Sequence, residues 1–314
     1  MAKRLRPGVD AAIVSAHGVS RDGQALSYNR APAADLAPWV ERLYAAKMEL
    51  PADHCLTCGI FSDAAFVRIQ LAGEWTAYTA DGPMSLSPGA FYFGPNTRRM
   101  PISVRGSFIS LGVSFRPGGC TALKGPRVSE YLDRAVPIDA WGYSSERVLP
   151  GYAADDDPES WLRQLEDGVR SRIAVMEAGT PDPIAARFED MAFTNPSISI
   201  NEFARACGVD KRTVERIIRR DFGLSPKQVL RRSRALDMAS HLRGVADEEE
   251  AEALMLRYYD QSHLIHEFTE LFGMSPGQFV TTPQPLLTLV LEARQARRLE
   301  AITRITPGAI RPWE

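Results

Sequence analysis

The sequence predicts an α+β protein. A cupboard of strands, either a β-sandwich or a barrel with flanking helices, fills the first half. An all-α region of two similar helical units follows. Three observations carry this. Apolar and polar residues alternate in runs between residues 55 and 120, and Gly/Pro-rich turn signals separate the runs. The same phrase, Phe-Gly-x-Ser-Pro, stands at Phe222–Pro226 and again at Phe272–Pro276, 50 residues on.

At 314 residues, 45% hydrophobic and 24% charged, the chain can fill more than one core and is neither disordered nor fibrous. No stretch approaches the roughly 18 apolar residues of a membrane helix, so no membrane partner is expected. The basic start is not followed by the apolar run of a secretory signal. Four cysteines make no disulfide framework, and a cytoplasmic protein with reduced thiols is expected.

Taken in order, residues 1–30 are small and polar and read as a flexible N-terminal arm. Residues 31–180 form the first domain. Its opening, Leu36 to Met48, spaces Leu36, Val40, Leu43, Tyr44 and Met48 as one face of a helix. Beyond Pro51 the period changes. Val67, Ile69 and Leu71 alternate with Arg68, Gln70 and Ala72; Ile109, Leu111, Val113 and Phe115 alternate with Ser110, Gly112, Ser114 and Arg116. These are half-buried strands of a β-rich core over residues 55–120. Alternation puts Phe91 and Phe93 on one face and Tyr92 on the other. Helical texture resumes at Trp161–Met176 and, from Ile184, continues almost to the end. Residues 181–283 form the second domain, and residues 284–314 a helical extension with an apolar stripe (Leu286, Leu289, Val290, Ala293, Ala296). That stripe could pack on the protein's own domains, dimerise, or stay loose.

Charge is unevenly spread. The chain carries −2 overall, but residues 198–244 carry eleven Lys and Arg against five Asp and Glu, while residues 245–283 carry one against eight. A compact basic block in a near-neutral chain points to a local anionic partner or, failing that, a solvated helix face. Inside the block, Ser199–Ala206 places Ile200, Phe203 and Ala204 on one face. Gly208 can take positive φ, and Asp210 can cap a helix that starts at Lys211. Val214, Ile217 and Ile218 would be its buried side. Lys211, Arg212, Thr213, Glu215, Arg216 and Arg219 would face outward. Two short helices about a Gly turn, the second with a basic outer face, have the layout of a helix-turn-helix, whose second helix fits the major groove of double-stranded DNA. In each Phe-Gly-x-Ser-Pro phrase, Gly suits a helix end, Ser an N-cap and Pro a first helical position.

Here the chain resembles the AraC/XylS family of bacterial transcription regulators. The resemblance covers about residues 198–283 and rests on Phe203-Ala204-Arg205, Cys207-Gly208-Val209, Arg212-Thr213-Val214-Glu215-Arg216 and Phe222-Gly223-Leu224-Ser225-Pro226. The second unit adds Tyr258-Tyr259-Asp260-Gln261-Ser262-His263, Phe268, Phe272-Gly273-Met274-Ser275-Pro276 and Phe279. It implies two helix-turn-helix units, a linker helix at about Pro226–Leu242, and one recognition helix per unit. Carried over, Arg212, Glu215 and Arg216 meet base edges and Lys211 and Arg219 meet phosphate. The second recognition helix, Gln261–Leu271, offers Gln261, Ser262, His263 and His266. Two departures stand out. Arg257 replaces the family's usual Gly in the second turn, and Asp247, Glu248, Glu249, Glu250 and Glu252 crowd the preceding helix. The first unit is therefore expected to supply most of the affinity for DNA.

In the first domain, Leu111-Gly112-Val113-Ser114-Phe115-Arg116-Pro117-Gly118-Gly119 resembles a phrase in the sensor half of one AraC-like branch. This implies a cupin-like β-domain that binds a small-molecule effector or mediates homodimerisation. The candidate effector-binding residues are Trp75, Tyr78, Tyr92 and Arg116; Arg68, Arg98 or Arg116 could read an anionic effector, with a surface role the plainer reading of each. A cupin metalloenzyme needs clustered His and carboxylate ligands, and this half has only His17 and His54. His54-Cys55-x-x-Cys58 is half of a zinc site that Cys120 could join, since structural zinc takes four ligands, or a redox-sensing pair; buried unreactive thiols are the plainer reading. No nucleotide-binding or nucleophile motif stands out, so no cofactor and no enzyme activity are expected. The expected function is a sequence-specific DNA-binding transcription regulator, with RNA polymerase as a further partner if it is an activator. The alternative is a protein-interaction regulator with a degenerate second unit and a partner held by the tail.

Overall fold

The computed structural model describes residues 6–247, 249 and 261–314, with residues 261–264 described by their backbone alone. The α+β expectation holds. Among the described residues nine strands come first: β1 (Val14–Ser15), β2 (Tyr28–Arg30), β3 (Val40–Glu49), β4 (Cys55–Ile60), β5 (Phe66–Thr79), β6 (Gly82–Leu86), β7 (Gly89–Phe93), β8 (Met100–Phe115) and β9 (Ala135–Pro137). They form one antiparallel sheet in the order β1-β3-β8-β5-β7-β9, with β2 also on β3, β4 on β8 and β6 on β5. The long strands β5 and β8 pair with each other, and the register breaks between Gln70 and Glu74. Gly73 sits at that break with φ +97°, and a Cβ there would meet the Cβ of Phe108 at 2.6 Å. The irregularity bends the sheet, so the two ends of each long strand serve different neighbours. Phe66–Gln70 pair with β7 and Trp75–Thr79 with β6; on β8, Met100–Arg105 pair with β4 and Phe108–Phe115 with β3.

Short helices α1 (Gly119–Ala122) and α2 (Ser145–Val148) follow the strands, then α3 (Pro158–Met176). The helical half contains α4 (Pro183–Thr194), α5 (Ile200–Cys207), α6 (Lys211–Phe222), α7 (Pro226–Leu242), α8 (Gln261–Phe272), α9 (Pro276–Thr281) and α10 (Pro285–Ala301). Among the described residues no helix is long and apolar enough to cross a membrane.

Two expectations need correction, and one left open is resolved. The segment Leu36–Met48 is largely strand β3, not helix. Its two faces are both covered: Val40, Leu43 and Ala45 join the core that includes Trp161 and Leu162 of α3, while Ala46 and Met48 join the core that includes Leu287 and Leu291 of α10. A strand buried on both sides loses the alternation that would identify it, and its apolar residues then match a helical spacing by accident. Even its charged residues are inside, with Arg42 donating to Glu300 at 2.7 Å and Glu41 lying 3.6 Å from Arg297.

Residues 6–30 are not a loose arm. Strands β1 and β2 pair with β3, and the Gly8 amide donates to the Val280 carbonyl at 2.6 Å. Gln24 is buried, and its Oε1 accepts from Arg243 at 2.5 Å.

The extension resolves in favour of internal packing. Helix α10 buries Leu286, Leu287, Leu291, Ala296 and Leu299 between the sheet and α7. Its arginines bond the loop before β5, α7 and α4. Arg294 bonds Asp63 at 2.8 Å and Asp237 of α7 at 2.5 Å, Arg297 bonds Glu189 of α4, and Arg298 bonds the Phe193 carbonyl at 3.1 Å.

Burial pushes the Glu41 carboxyl from 4.5 up to about 7, against the opposing pull of Arg297. Between those two values the folded state holds the extra proton, so stability falls as pH rises through that window. Glu41→Gln is expected to remove this slope. In urea titrations the variant should gain on the wild type between pH 5 and pH 8 by roughly 1–3 kcal/mol. A gap that does not change with pH would contradict it.

Candidate nucleic-acid interface

The first helix-turn-helix is built as its residues dictate. Ser199 caps α5 in a reciprocal box with Glu202, and Phe203 and Ala204 are buried. Gly208 ends the helix at φ +69°. Asp210 then caps α6, accepting from the Thr213 amide at 2.9 Å and the Thr213 hydroxyl at 2.7 Å. These bonds from Thr213 hold the Asp210 carboxyl below its ordinary range, so the cap stays ionised. Val214, Ile217, Ile218 and Phe222 are buried against α4, whose Phe188 meets Phe203 and Phe222 edge-on at 5.0 and 5.7 Å.

The opposite face of α6 is the candidate reading surface. Lys211, Arg212, Arg216 and Arg219 are exposed. Arg212, Arg216 and Arg219 follow i, i+4, i+7 spacing, a cationic stripe about 10 Å long. Glu215 is half-buried and lies 3.7 Å from Lys211, one turn earlier. Thr213 belongs to the cap more than to the stripe, since its hydroxyl is taken by Asp210. Arg220 lies off the stripe, paired to Asp221 at 2.6 Å and Asp182 at 3.2 Å. Sequence reasoning left out Arg205 and Lys227, which are exposed on the flanking helices; a basic residue at either end of a helix-turn-helix was the available signal.

The second unit has the same frame and a different surface. Phe268 stacks on Phe272 at 4.2 Å, and Phe279 meets both. Ser275 caps α9 in a box with Gln278, as Ser225 caps α7 with Gln228. Helix α8 contains no Lys or Arg. His266 is exposed, and Glu267 and Glu270 are drawn to Arg231 and Arg234 of α7. The side chains of Gln261, Ser262 and His263 lie outside the described residues, as do Arg257 and the acids Glu248, Glu250 and Glu252. Asp247 and Glu249 pair with Arg304.

The two Phe-Gly phrases can be told apart by their surroundings. Gly223 and Gly273 both have positive φ, near +70°. A Cβ on Gly223 would sit 2.9 Å from Leu132, whereas nothing lies within 4 Å of one on Gly273. Gly223→Ala should therefore cost more stability than Gly273→Ala, where only the conformational cost of about 1 kcal/mol applies. Equal losses in thermal unfolding would show that the contact at Leu132 yields freely.

The effector candidates separate. A cavity of about 100 Å³ lies between the sheet and α10, and Trp75 is in its wall together with Phe66, Phe108, Leu286 and Leu289. Tyr78 is instead half-exposed. Tyr92 is fully buried in the other core, edge-on to Tyr131 and Trp141. Arg116 is tied to Glu189 at 3.0 Å. Arg68 is not a surface residue: it is buried and lines the cavity, because α10 covers what alternation presents as the polar face of β5. Cys55 and Cys58 do not converge, since three residues along a strand reverse the side: Cys55 is exposed and Cys58 buried.

Residues 203–282 match the profile of a helix-turn-helix domain, and residues 28–137 that of a domain of unknown function, DUF6597. No curated protein matches the chain. Among solved structures it is similar to apo ToxT from Vibrio cholerae, with 9% identity over 76% of this chain and 98% of that one and a TM-score of 0.45. It is also similar to the AraC-like transcriptional activator CuxR, with 15% identity over 62% and 76% and a TM-score of 0.27. A cupin domain from Bordetella pertussis matches at 8% identity over 29% and 92%, with a TM-score of 0.21.

Proposed function

We propose that the protein is a sequence-specific DNA-binding transcription regulator of the AraC type whose first unit does most of the reading, a proposal supported by the helix-turn-helix match over residues 203–282. One observation carries the proposal: the stripe of Arg212, Arg216 and Arg219 faces outward from a helix whose other side is core. An arginine that reaches a guanine edge bonds it bidentately, and those beside the groove neutralise phosphate. The linker helix α7, 17 residues and about 25 Å long, holds the two units in a fixed relation.

Control through the first domain belongs to the same reading. The cavity is roofed by α10, and α10 is bonded to α7 through Arg294 and Asp237. An occupant that favours one placement of α10 would shift the population able to bind DNA by its difference in affinity for the two placements. The protein on this reading is a cytoplasmic binder, not an enzyme.

The test is selection of genomic fragments by the purified full-length chain, followed by gel shifts of the enriched site across a salt series. A selected sequence whose affinity falls steeply with salt is the expected result. No selection at low salt, with a stable complex with another protein in its place, would overturn it.

A further inference from the structure

The two helix-turn-helix units are joined to the rest of the chain by different chemistry. The second is fused by apolar packing. Phe268, Phe272 and Phe279 share one core with Met48, Leu56 and Phe108 of the sheet, and Phe61 meets Phe272 edge-on at 5.1 Å. The first unit keeps a core of its own, made by Phe188, Phe203, Val214, Ile217, Ile218 and Phe222; among the described residues the first domain adds only Leu132 to it. Polar ties complete the joint. Arg116 bonds Glu189 of α4 at 3.0 Å, the Thr121 hydroxyl donates to Asp221 of α6 at 3.2 Å, and from α10 Arg297 bonds Glu189 and Arg298 donates to the Phe193 carbonyl at 3.1 Å.

An arginine is shared at the centre of this joint. Arg297 bonds Glu189 through Nη2, while its Nη1 lies 3.6 Å from Oε1 of Glu41 on β3 and has no hydrogen-bond partner. Oε2 of Glu41 is likewise buried without one. Glu41, Glu189 and Asp63 line a cavity of about 20 Å³ that also touches Phe222 of α6 and Arg232 of α7. The charged groups around Glu41 are Arg297 and Arg294 from α10, Asp63 from the loop before β5, Glu189 from α4 and Arg232 from α7, with Arg116 and Asp190 beyond Glu189. Burial pushes the Glu41 carboxyl up, Arg297 opposes this, and Asp63 and Glu189 add to it. One cation stands between two buried carboxylates and is bonded to only one of them.

We propose that Glu41 is a proton-operated latch on the first helix-turn-helix unit. Protonated, it leaves Arg297 to Glu189 and the joint stays closed. Ionised, with its proton given to water, it competes for Arg297 and the joint opens. Phe188, next to Glu189 in α4, packs on Phe203 and Phe222, so a movement of α4 reaches the recognition helix directly. The consequence for DNA rests on the regulator reading, because the unit released is the one that carries Arg212, Arg216 and Arg219; the latch itself does not. The sign follows from linkage. Opening admits water to Glu41 and returns its carboxyl to the ordinary range. The proton favours the closed form fully below about pH 4.5, and that advantage is lost as pH rises to about 7, by up to about tenfold per pH unit.

The test is hydrogen exchange of the full-length chain without DNA, in the wild type and in Glu41→Gln, at pH 5 and pH 7.5. Each segment is compared between the two chains at one pH, so the intrinsic pH dependence of exchange cancels. For α4, α5 and α6 the ratio of wild-type to variant rate should grow at least about tenfold from pH 5 to pH 7.5. At pH 7.5 these helices should also exchange faster than β5 and β8 in the wild type, which marks opening of the joint rather than unfolding of the chain. With Glu189→Gln added to both chains, which leaves Arg297 to Glu41, the growth should shrink to about threefold or less. A ratio that does not change with pH, or a growth undiminished by Glu189→Gln, would overturn the proposal. So would α4–α6 and the sheet opening with one common free energy at pH 7.5, which would make Glu41 a determinant of global stability alone. Because no DNA is present, these failures are distinct from failure of the gel shift.

Discussion

Arg216→Ala is expected to lower affinity for the selected DNA site about ten- to a hundredfold, the range for losing one bidentate contact with a base. His266→Ala should lower it less than about threefold. The reasoning is electrostatic and geometric together. Arg216 is the middle of three exposed arginines on a face with no competing carboxylate but Glu215, which is itself beside Lys211. His266 stands on a helix without Lys or Arg, near Glu270, whose carboxyl is held down first by Arg231 and more weakly by His266. Phosphate gains little by approaching that surface. The two classes of contact are also separable. Lys211→Ala should weaken binding about equally for all sequences and flatten the salt slope by about one, whereas Arg216→Ala should relax preference at one base position. Equal losses for Arg216→Ala and His266→Ala would refute the division of labour between the units.

The helical half was legible because its rules are local. A Gly at positive φ, a Ser with Gln three residues on and an apolar residue every third or fourth position act within a turn or two of helix, so α6 and α7 begin where their caps say they should. The first half was harder because its decisive interactions are distant in sequence. Strand β3 passed for a helix because cores on both faces erased its alternation. Arg68 passed for a surface residue because the element covering it lies more than two hundred residues further along. Of the four effector candidates only Trp75 reaches the cavity. An aromatic residue announces burial, but which of two cores it enters depends on the register of the sheet. The use of the extension was undecided for the same reason: its apolar stripe was visible, but the partners of Arg294 and Arg297 were not.

Those partners set the second large expected effect. Arg294→Met should destabilise the protein by about 3–5 kcal/mol, the cost of breaking a buried ion pair from one side. Arg294 is 4% exposed and bonds Asp63, Asp237 and the Ser233 hydroxyl at once. Removing the guanidinium leaves Asp237, itself 1% exposed, with Arg298 at 3.9 Å as its nearest remaining cation among the described ion pairs. Asp237→Asn in the same chain should restore part of the loss, because the charge left stranded is then gone. Arg304→Met is the control. Arg304 also pairs with two carboxylates, Asp247 and Glu249, but at the surface, and its loss should scarcely move the urea midpoint. If Arg294→Met were as mild as the control, the junction between the sheet, α10 and α7 would be held by apolar packing alone. The route from the cavity to the DNA-binding units would then have to run through Leu287 and Leu291, which share a core with Leu236 and Ala239 of α7.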